Sequence, residues 1–230
     1  MCIRDSYYNE RELPFELRRN YVFPPNKPFY FVQYVVKNLG NNPISLSILD
    51  FFHPRNLGEG VLHAWYNRSA CAVCMNLSGV DSFFVVTGIV SDIKFNYQVA
   101  NDSETDVSSP DCSPYFQFFK LKTLTNNSEV WALDISCGFQ VDLSLIPGDV
   151  TSFVVARALS PSLGGALSAF LEARDYRSWF EYTEDEYSSW LQKSLFPRGN
   201  AKLREAYERS PVSYTHLRAH ETEADLVCRL

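Results

Sequence analysis

The stretch Phe139-Gln-Val-Asp-Leu-Ser-Leu145 alternates apolar and polar residues with a period of two. This alternation is typical of a β-strand that buries one face. Pro147-Gly148-Asp149 then supplies turn residues, and the apolar run Thr151–Ala156 follows them. The segment therefore predicts two successive strands joined by a tight turn.

The same period-two pattern extends through most of residues 7–159, which we assign to one β-domain. The turn cluster Asn38–Pro43 separates two of the apolar runs and predicts a hairpin. Short strands without intervening helices are typical of antiparallel sheets packed face to face. The chain is thus predicted to be mainly β, a large antiparallel β-sandwich. Further predicted strands are Pro28–Lys37, Ile44–Phe52, Val61–Tyr66, Ser82–Val90, Tyr115–Leu121 and Val130–Ser136.

The character of the chain changes at Ser160-Pro161, where a serine N-cap and a proline at the first helical position predict a helix. Thr183, with Glu186 three residues later, has the form of a capping box and predicts a second helix start. We expect residues 160–196 to be a helical linker and residues 197–210 to be the truncated start of a helical catalytic domain.

The two ends of the chain are related through the DNA sequences that would encode them. Met1–Ser6 back-translates to ATG TGT ATA AGA GAC AG, and the reverse complement of this DNA, shifted by one base, encodes Pro211–His216. Such a repeat in opposite orientations resembles a transposon end used to prepare sequencing libraries. Residues 1–6 and 211–230 are therefore expected to be adapter artefacts around a metagenomic fragment, which leaves the compartment open.

Composition excludes two functional classes. The 230 residues carry 21 Lys+Arg against 27 Asp+Glu, a net charge of −6, whereas nucleic-acid binders usually show a basic patch. No apolar run approaches the ~18 residues needed to span a bilayer. A hydrophobic fraction of 46% is enough for a packed core. We therefore predict a globular domain that binds no nucleic acid and spans no membrane.

Four of the six cysteines lie outside the expected adapter segments and raise the question of a metal site. Cys71 and Cys74 have the CxxC spacing of half a zinc site. Cys112 and Cys137 could supply the other two ligands, but they do not form a second CxxC pair. Positions i and i+3 of an extended strand point to opposite faces, so chelation would require a turn. We predict buried thiols and no metal, with disulfide pairing open if the protein is exported.

Candidate catalytic groups are few. Asp50 and His53 could hydrogen-bond around a strand end, but a serine nucleophile would need a GxSxG elbow that the sequence lacks. The acidic triplet Glu184, Asp185 and Glu186 suits the macrodipole of a first helical turn better than general acid–base catalysis. We predict no catalytic residue and no cofactor.

Tryptophans are candidates for two kinds of contact. A sugar-stacking platform, if one exists, would draw on Trp65, Trp131, Trp179 and Trp190, and a binding module would be expected to use Trp65 or Trp131. The tryptophans of the linker helices are expected to pack between domains, together with apolar neighbours on the second helix. The predicted interdomain residues are Trp179, Tyr187, Trp190 and Leu191.

Longer stretches resemble a known family. Phe31–Pro54, which ends in Asp50-Phe-Phe-His-Pro54, is similar to the N-terminal sandwich of bacterial glucoamylases and glucodextranases. Leu143–Asp149 before a Val-rich strand and the passage Thr183–Leu191 resemble the same family, in which Ala206–Ser210 would lie in the first barrel helix. The resemblance implies a supersandwich-like domain, linker helices and an (α/α)6 barrel that hydrolyses α-glucosidic bonds with inversion.

In such an enzyme both catalytic glutamates belong to the barrel. The resemblance therefore implies that this chain is an inactive N-terminal fragment, whose partner is the missing barrel of the same chain and whose parent enzyme acts on an α-glucan or oligosaccharide. A free-standing carbohydrate-binding or adhesion module and the same domain of a related sugar phosphorylase are alternatives. A small enzyme that uses Asp50 and His53 is a third.

Overall fold

The computed structural model describes residues 2–6, 14–54, 61–77 and 83–193. The β-domain comprises β1 (Cys2–Ser6), β2 (Phe15–Val22), β3 (Phe29–Asn38), β4 (Ile44–Phe52), β5 (Leu62–Asn67), β6 (Ala72–Leu77), β7 (Phe83–Ile89), β8 (Asn96–Asn101), α1 (Pro114–Leu121), β9 (Glu129–Ala132), β10 (Ile135–Leu145) and β11 (Val150–Ser160). Two helices follow, α2 (Leu163–Ala173) and α3 (Tyr176–Lys193).

The strands form two sheets with antiparallel pairing throughout the described ranges. The large sheet has eight strands in the order β1-β2-β3-β11-β7-β6-β5-β9, and the small sheet has three in the order β4-β10-β8. The small sheet pairs β10 with β4 along the whole of β4, from Cys137 opposite Phe52 to Leu145 opposite Ile44. The predicted mainly β, antiparallel sandwich is confirmed.

The main core lies between the two sheets. On β10 the alternating residues Phe139 and Val141 are fully buried, and on β11 so are Phe153 and Val155. Burial of each such side chain stabilises the fold by about 1.5–3 kcal/mol. The strict alternation around Phe139 therefore marks the inner face of the small sheet.

A second core covers the outer face of the large sheet. Ala166 and Phe170 of α2 pack with Phe31 and Ala156 of the central strands β3 and β11. The fit is close, because a Cβ added at Gly88 of β7 would lie 3.0 Å from the Cζ atom of Phe170. Helix α2 is thus packed against the outer face of the large sheet.

The predicted strand Tyr115–Leu121 is wrong, because these residues form the helix α1 against the outer face of the small sheet. Pro114 occupies the first helical turn, where its missing N–H costs no hydrogen bond. Pro114 and Gln117, three residues apart, are the buried side chains, whereas Tyr115 and Phe119 are exposed. A helical period therefore governs this aromatic run.

The predicted hairpin at Asn38–Pro43 is also wrong. Strand β3 belongs to the large sheet and β4 to the small one, so the turn carries the chain from one sheet to the other. Asn38 is buried, and its Nδ2 donates to the carbonyl oxygens of Asn42 and Leu145 at 2.9 and 3.1 Å. This side chain joins the β3–β4 connection to the β10–β11 turn, which makes the same crossing.

Both predicted helix starts need correction. The N-cap of α2 is Ser162, whose Oγ accepts from the N–H of Gly165 at 3.1 Å, rather than Ser160. Thr183 lies inside α3, which is continuous, and its hydroxyl donates to the carbonyl of Trp179 one turn earlier. Since Thr183 is buried, tertiary packing uses the residue that local sequence marked as a cap.

Several predictions fall at the edges of the described ranges. Cys2–Ser6, predicted to be an adapter, form the edge strand β1 beside β2. The boundary between linker and catalytic domain stays a prediction, and residues 197–210 and 211–230 lie outside the described residues.

Candidate functional site

A buried ionic cluster joins the two sheets. Asp50 of β4 accepts from the guanidinium of Arg157 on β11 and from the hydroxyl of Tyr34 on β3, each at 2.6 Å. Asp50 and Arg157 are almost fully buried. Sequence alternation placed Asp50 in a strand but could not reveal Arg157, which lies 107 residues away.

Burial and charge act together on this cluster. Burial and the neighbouring carboxylate of Asp50 both raise the pKa of Tyr34. Burial alone would lower the pKa of Arg157, but Asp50 and two tyrosines outweigh it and the net direction is upward. Both groups therefore keep their protons, so the cluster is a fixed ion pair and not a general acid or base.

His53 points away from Asp50, contrary to the predicted pairing. Its Nε2 lies 2.6 Å from Asp134 Oδ1, and its Nδ1 lies 3.8 Å from Asp102 Oδ2. Among the described residues this is the one group of three potential metal ligands, with ligand atoms within 4.8 Å of one another. The hypothesis of a small enzyme required a hydrogen bond between Asp50 and His53, but these residues belong to separate clusters.

The cysteines considered for a metal site, Cys71, Cys74, Cys112 and Cys137, are free thiols in different layers. Cys74 lies in the outer core beneath α2, Cys137 lies between the sheets, and Cys112 is buried near α1. Cys71 is exposed at the turn before β6. These placements keep the thiols from converging on one ion.

The acidic triplet lies in the middle of α3 rather than in its first turn. Glu184 and Asp185 are exposed, and Glu186 is half-buried. The predicted N-terminal macrodipole contact is therefore absent from this part of the structure. No carboxyl of the triplet is in a described hydrogen bond or ion pair.

Three rings form a stack at the β5–β9 edge of the large sheet. The imidazole of His63 lies 3.7 Å from the Trp131 ring, at an interplanar angle of 7°, and 4.5 Å from the Trp65 ring, at 22°. His63 and Trp131 are directly opposite each other in the β5–β9 register. Leu62, Ala64 and Val130 face the main core, so the stack occupies the outer face.

Trp179 and Trp190, both predicted to pack between domains, have different surroundings. Trp179 contacts Phe29 of β3 at 5.4 Å, and the Lys27 ammonium lies 4.6 Å from its ring. It also lines an open groove of about 630 Å³ at the joint of α2 and α3. Trp190 is 47% exposed and makes an edge-to-face contact with Tyr187, whose pKa is raised by burial. The side chain of Leu191 lies outside the described residues.

Sequence reasoning missed His63 as a member of an aromatic cluster. The available signal was its alternation with Trp65, since residues i and i+2 of a strand share a face. Trp131 was recognised, but its position beside His63 depends on the pairing of β5 with β9, across more than 60 residues.

Comparison with known proteins gives a fold and no family. No family model and no curated protein matches the chain. Among solved structures it is similar to a bacterial glucoamylase complexed with acarbose, with a TM-score of 0.54 and 11% identity over 83% of this chain. The chain spans 29% of that glucoamylase chain. At this identity the likeness shows the fold alone.

A weaker likeness is to a proposed aldose 1-epimerase from Klebsiella pneumoniae subsp. pneumoniae MGH 78578. The TM-score is 0.35, with 10% identity over 74% of this chain and 53% of that chain, and this likeness carries no argument. No helix in the described ranges is both long and apolar enough to cross a membrane.

Proposed function

We propose that the chain is the N-terminal β-sandwich domain, with its connecting helices, of a glucoamylase-like enzyme that hydrolyses α-glucosidic bonds with inversion. The observation that carries the proposal is the likeness to the bacterial glucoamylase over 83% of this chain, at a TM-score of 0.54. This likeness agrees with the sequence resemblance of Phe31–Pro54 and Leu143–Asp149 to the same family.

The role of the domain is to pack against and support an (α/α)6 barrel that carries the chemistry. Inverting hydrolysis needs two carboxyl groups about 6.5–9.5 Å apart, one as acid and one as base. In the described ranges Asp50 is held by Arg157, and the triplet that begins at Glu184 lies along one helix. These surroundings support a non-catalytic role for the sandwich and linker.

The test compares this chain with the protein encoded by the continuous reading frame of its source DNA. We expect the 230-residue chain to release no glucose from maltose, and the longer protein to release β-glucose, seen by NMR before mutarotation. Formation of glucose 1-phosphate only when phosphate is present would assign the domain to a phosphorylase instead. Glucose release by the 230-residue chain would overturn the non-catalytic role.

A further inference from the structure

The ring stack of His63, Trp65 and Trp131 is organised for contact with something outside the domain. Trp131 is 63% exposed although one face of its indole lies 3.7 Å from the imidazole. Its opposite face is therefore open to solvent at the edge strand β9. At the other end of the stack, Trp65 packs against the apolar core between the large sheet and α2, and this packing anchors the stack.

Polar groups fix the stack. The Nε2 atom of His63 lies 3.0 Å from Glu129 Oε1, and the carboxyl of Glu129 is largely exposed. This contact fixes the imidazole, and the imidazole fixes the indole of Trp131, so a ligand would bind without ordering these side chains first. A preorganised flat ring beside an exposed carboxylate is a specific arrangement of one apolar surface and one hydrogen-bond acceptor.

We propose that this surface is a binding platform for a glucan, a neutral polymer of glucopyranose units. The C–H face of a pyranose ring is flat and apolar and would stack on the open face of Trp131, while its hydroxyl groups donate to the exposed carboxylate of Glu129. The site lies on the domain itself and is independent of the barrel chemistry proposed above.

Charge and shape favour a sugar over other ligands that stack on aromatic rings. Single-stranded nucleic acids also stack on such rings, but they require a positively charged groove, whereas here Glu129 stands beside the rings and the chain carries a net charge of −6. A quaternary ammonium ion is held by several ring faces that surround it, and this stack presents one open face.

The experiment titrates the 230-residue chain with maltoheptaose and, separately, with cellohexaose, using calorimetry and tryptophan fluorescence. We expect Trp131→Ala to weaken binding by about tenfold or more, and the matched control Trp190→Ala to change it by less than about twofold. Because Trp131 is mostly exposed, Trp131→Ala should keep the wild-type circular dichroism spectrum. Binding of either oligosaccharide with this dependence supports the platform, and the preferred one identifies the linkage.

Absence of binding to both oligosaccharides by the wild-type chain would overturn the proposal, as would equal losses in the Trp131 and Trp190 variants. A variant that retains the side-chain shape, Glu129→Gln, provides a second readout: it removes the charge beside His63 and should weaken binding without altering the fold. Neither result bears on glucose release by the longer protein, so failure of the platform and failure of the proposed hydrolase domain are separate outcomes.

Discussion

At the scale of single residues, the contact of Asp50 with Arg157 is a short ion pair between two buried side chains. It is placed where neither group can reach water, and Tyr34 completes the shell of the carboxylate. A buried pair of this kind adds little net stability compared with apolar side chains, but removal of one partner leaves an uncompensated charge. Its effect here is to couple β4 of the small sheet to β3 and β11 of the large one.

Arg157→Leu should therefore lower the free energy of unfolding by about 3–5 kcal/mol, measured by urea denaturation, because Asp50 is left charged and buried. The double variant Asp50→Asn/Arg157→Leu should recover part of this loss. As a control, Arg18→Leu removes an exposed pair with Glu16 and should cost less than about 1 kcal/mol. Equal effects at Arg157 and Arg18 would contradict the burial argument.

The thiols also differ by burial. Burial raises the pKa of Cys74 to about 12, and it raises the pKa of Cys137 as well. In the unfolded chain the pKa of a thiol is about 8.5, so the folded state holds the thiol protons more tightly. The stability that comes from keeping these thiols protonated is complete below that pH. It is lost as the pH rises toward the folded value.

Alkylation with iodoacetamide at pH 8, followed by mass spectrometry of the peptides, should therefore label Cys71 before Cys74 and Cys137. Cys74 and Cys137 should react only after addition of denaturant, since the thiolate is the reactive form and both groups are buried. Rapid labelling of Cys137 in the native protein would contradict its position between the sheets.

At the scale of elements, local sequence was sufficient where one face of a strand is buried. The strand Ile44–Phe52 and the alternation from Phe139 to Leu145 match β4 and β10. It was insufficient at Tyr115–Leu121, where β-favouring aromatic residues follow a helix-starting proline, and at Asn38–Pro43, where strand partners are chosen by long-range pairing. For the same reason the candidate platform needed the β5–β9 register, which the sequence does not contain.

The packing of α1 against the small sheet gives a test at this scale. A Cβ added at Gly138 of β10 would lie 2.8 Å from the Cβ atom of Pro114, so Gly138→Ala should push α1 from the small sheet and cost about 1–3 kcal/mol. Gly164 of α2 has open space around its Cα, so Gly164→Ala should raise stability by up to about 1 kcal/mol. Thermal melting of both variants measures the difference in stability. An unchanged melting temperature in Gly138→Ala would show that α1 is not closely packed on the small sheet.

At the scale of the whole molecule, the described chain is a stack of four layers. Helices α2 and α3 cover the outer face of the large sheet, the two sheets enclose the main core, and α1 covers the small sheet. Helix α3 is thus attached to the sandwich by apolar packing, with Trp179 against Phe29 and Phe180 against Phe31. A barrel joined to the end of α3 would inherit its position from this packing.

The two tryptophans of α3 distinguish attachment within the domain from attachment to a barrel. In the 230-residue chain Trp179→Ala should cost about 1–2 kcal/mol, because its ring packs on Phe29, whereas Trp190→Ala should have little effect on an indole that is 47% exposed. In the longer enzyme of the proposed function, Trp190→Ala should lower the melting temperature while kcat is retained, since the ring would then be buried between domains. An unchanged melting temperature there would place the barrel elsewhere on the sandwich.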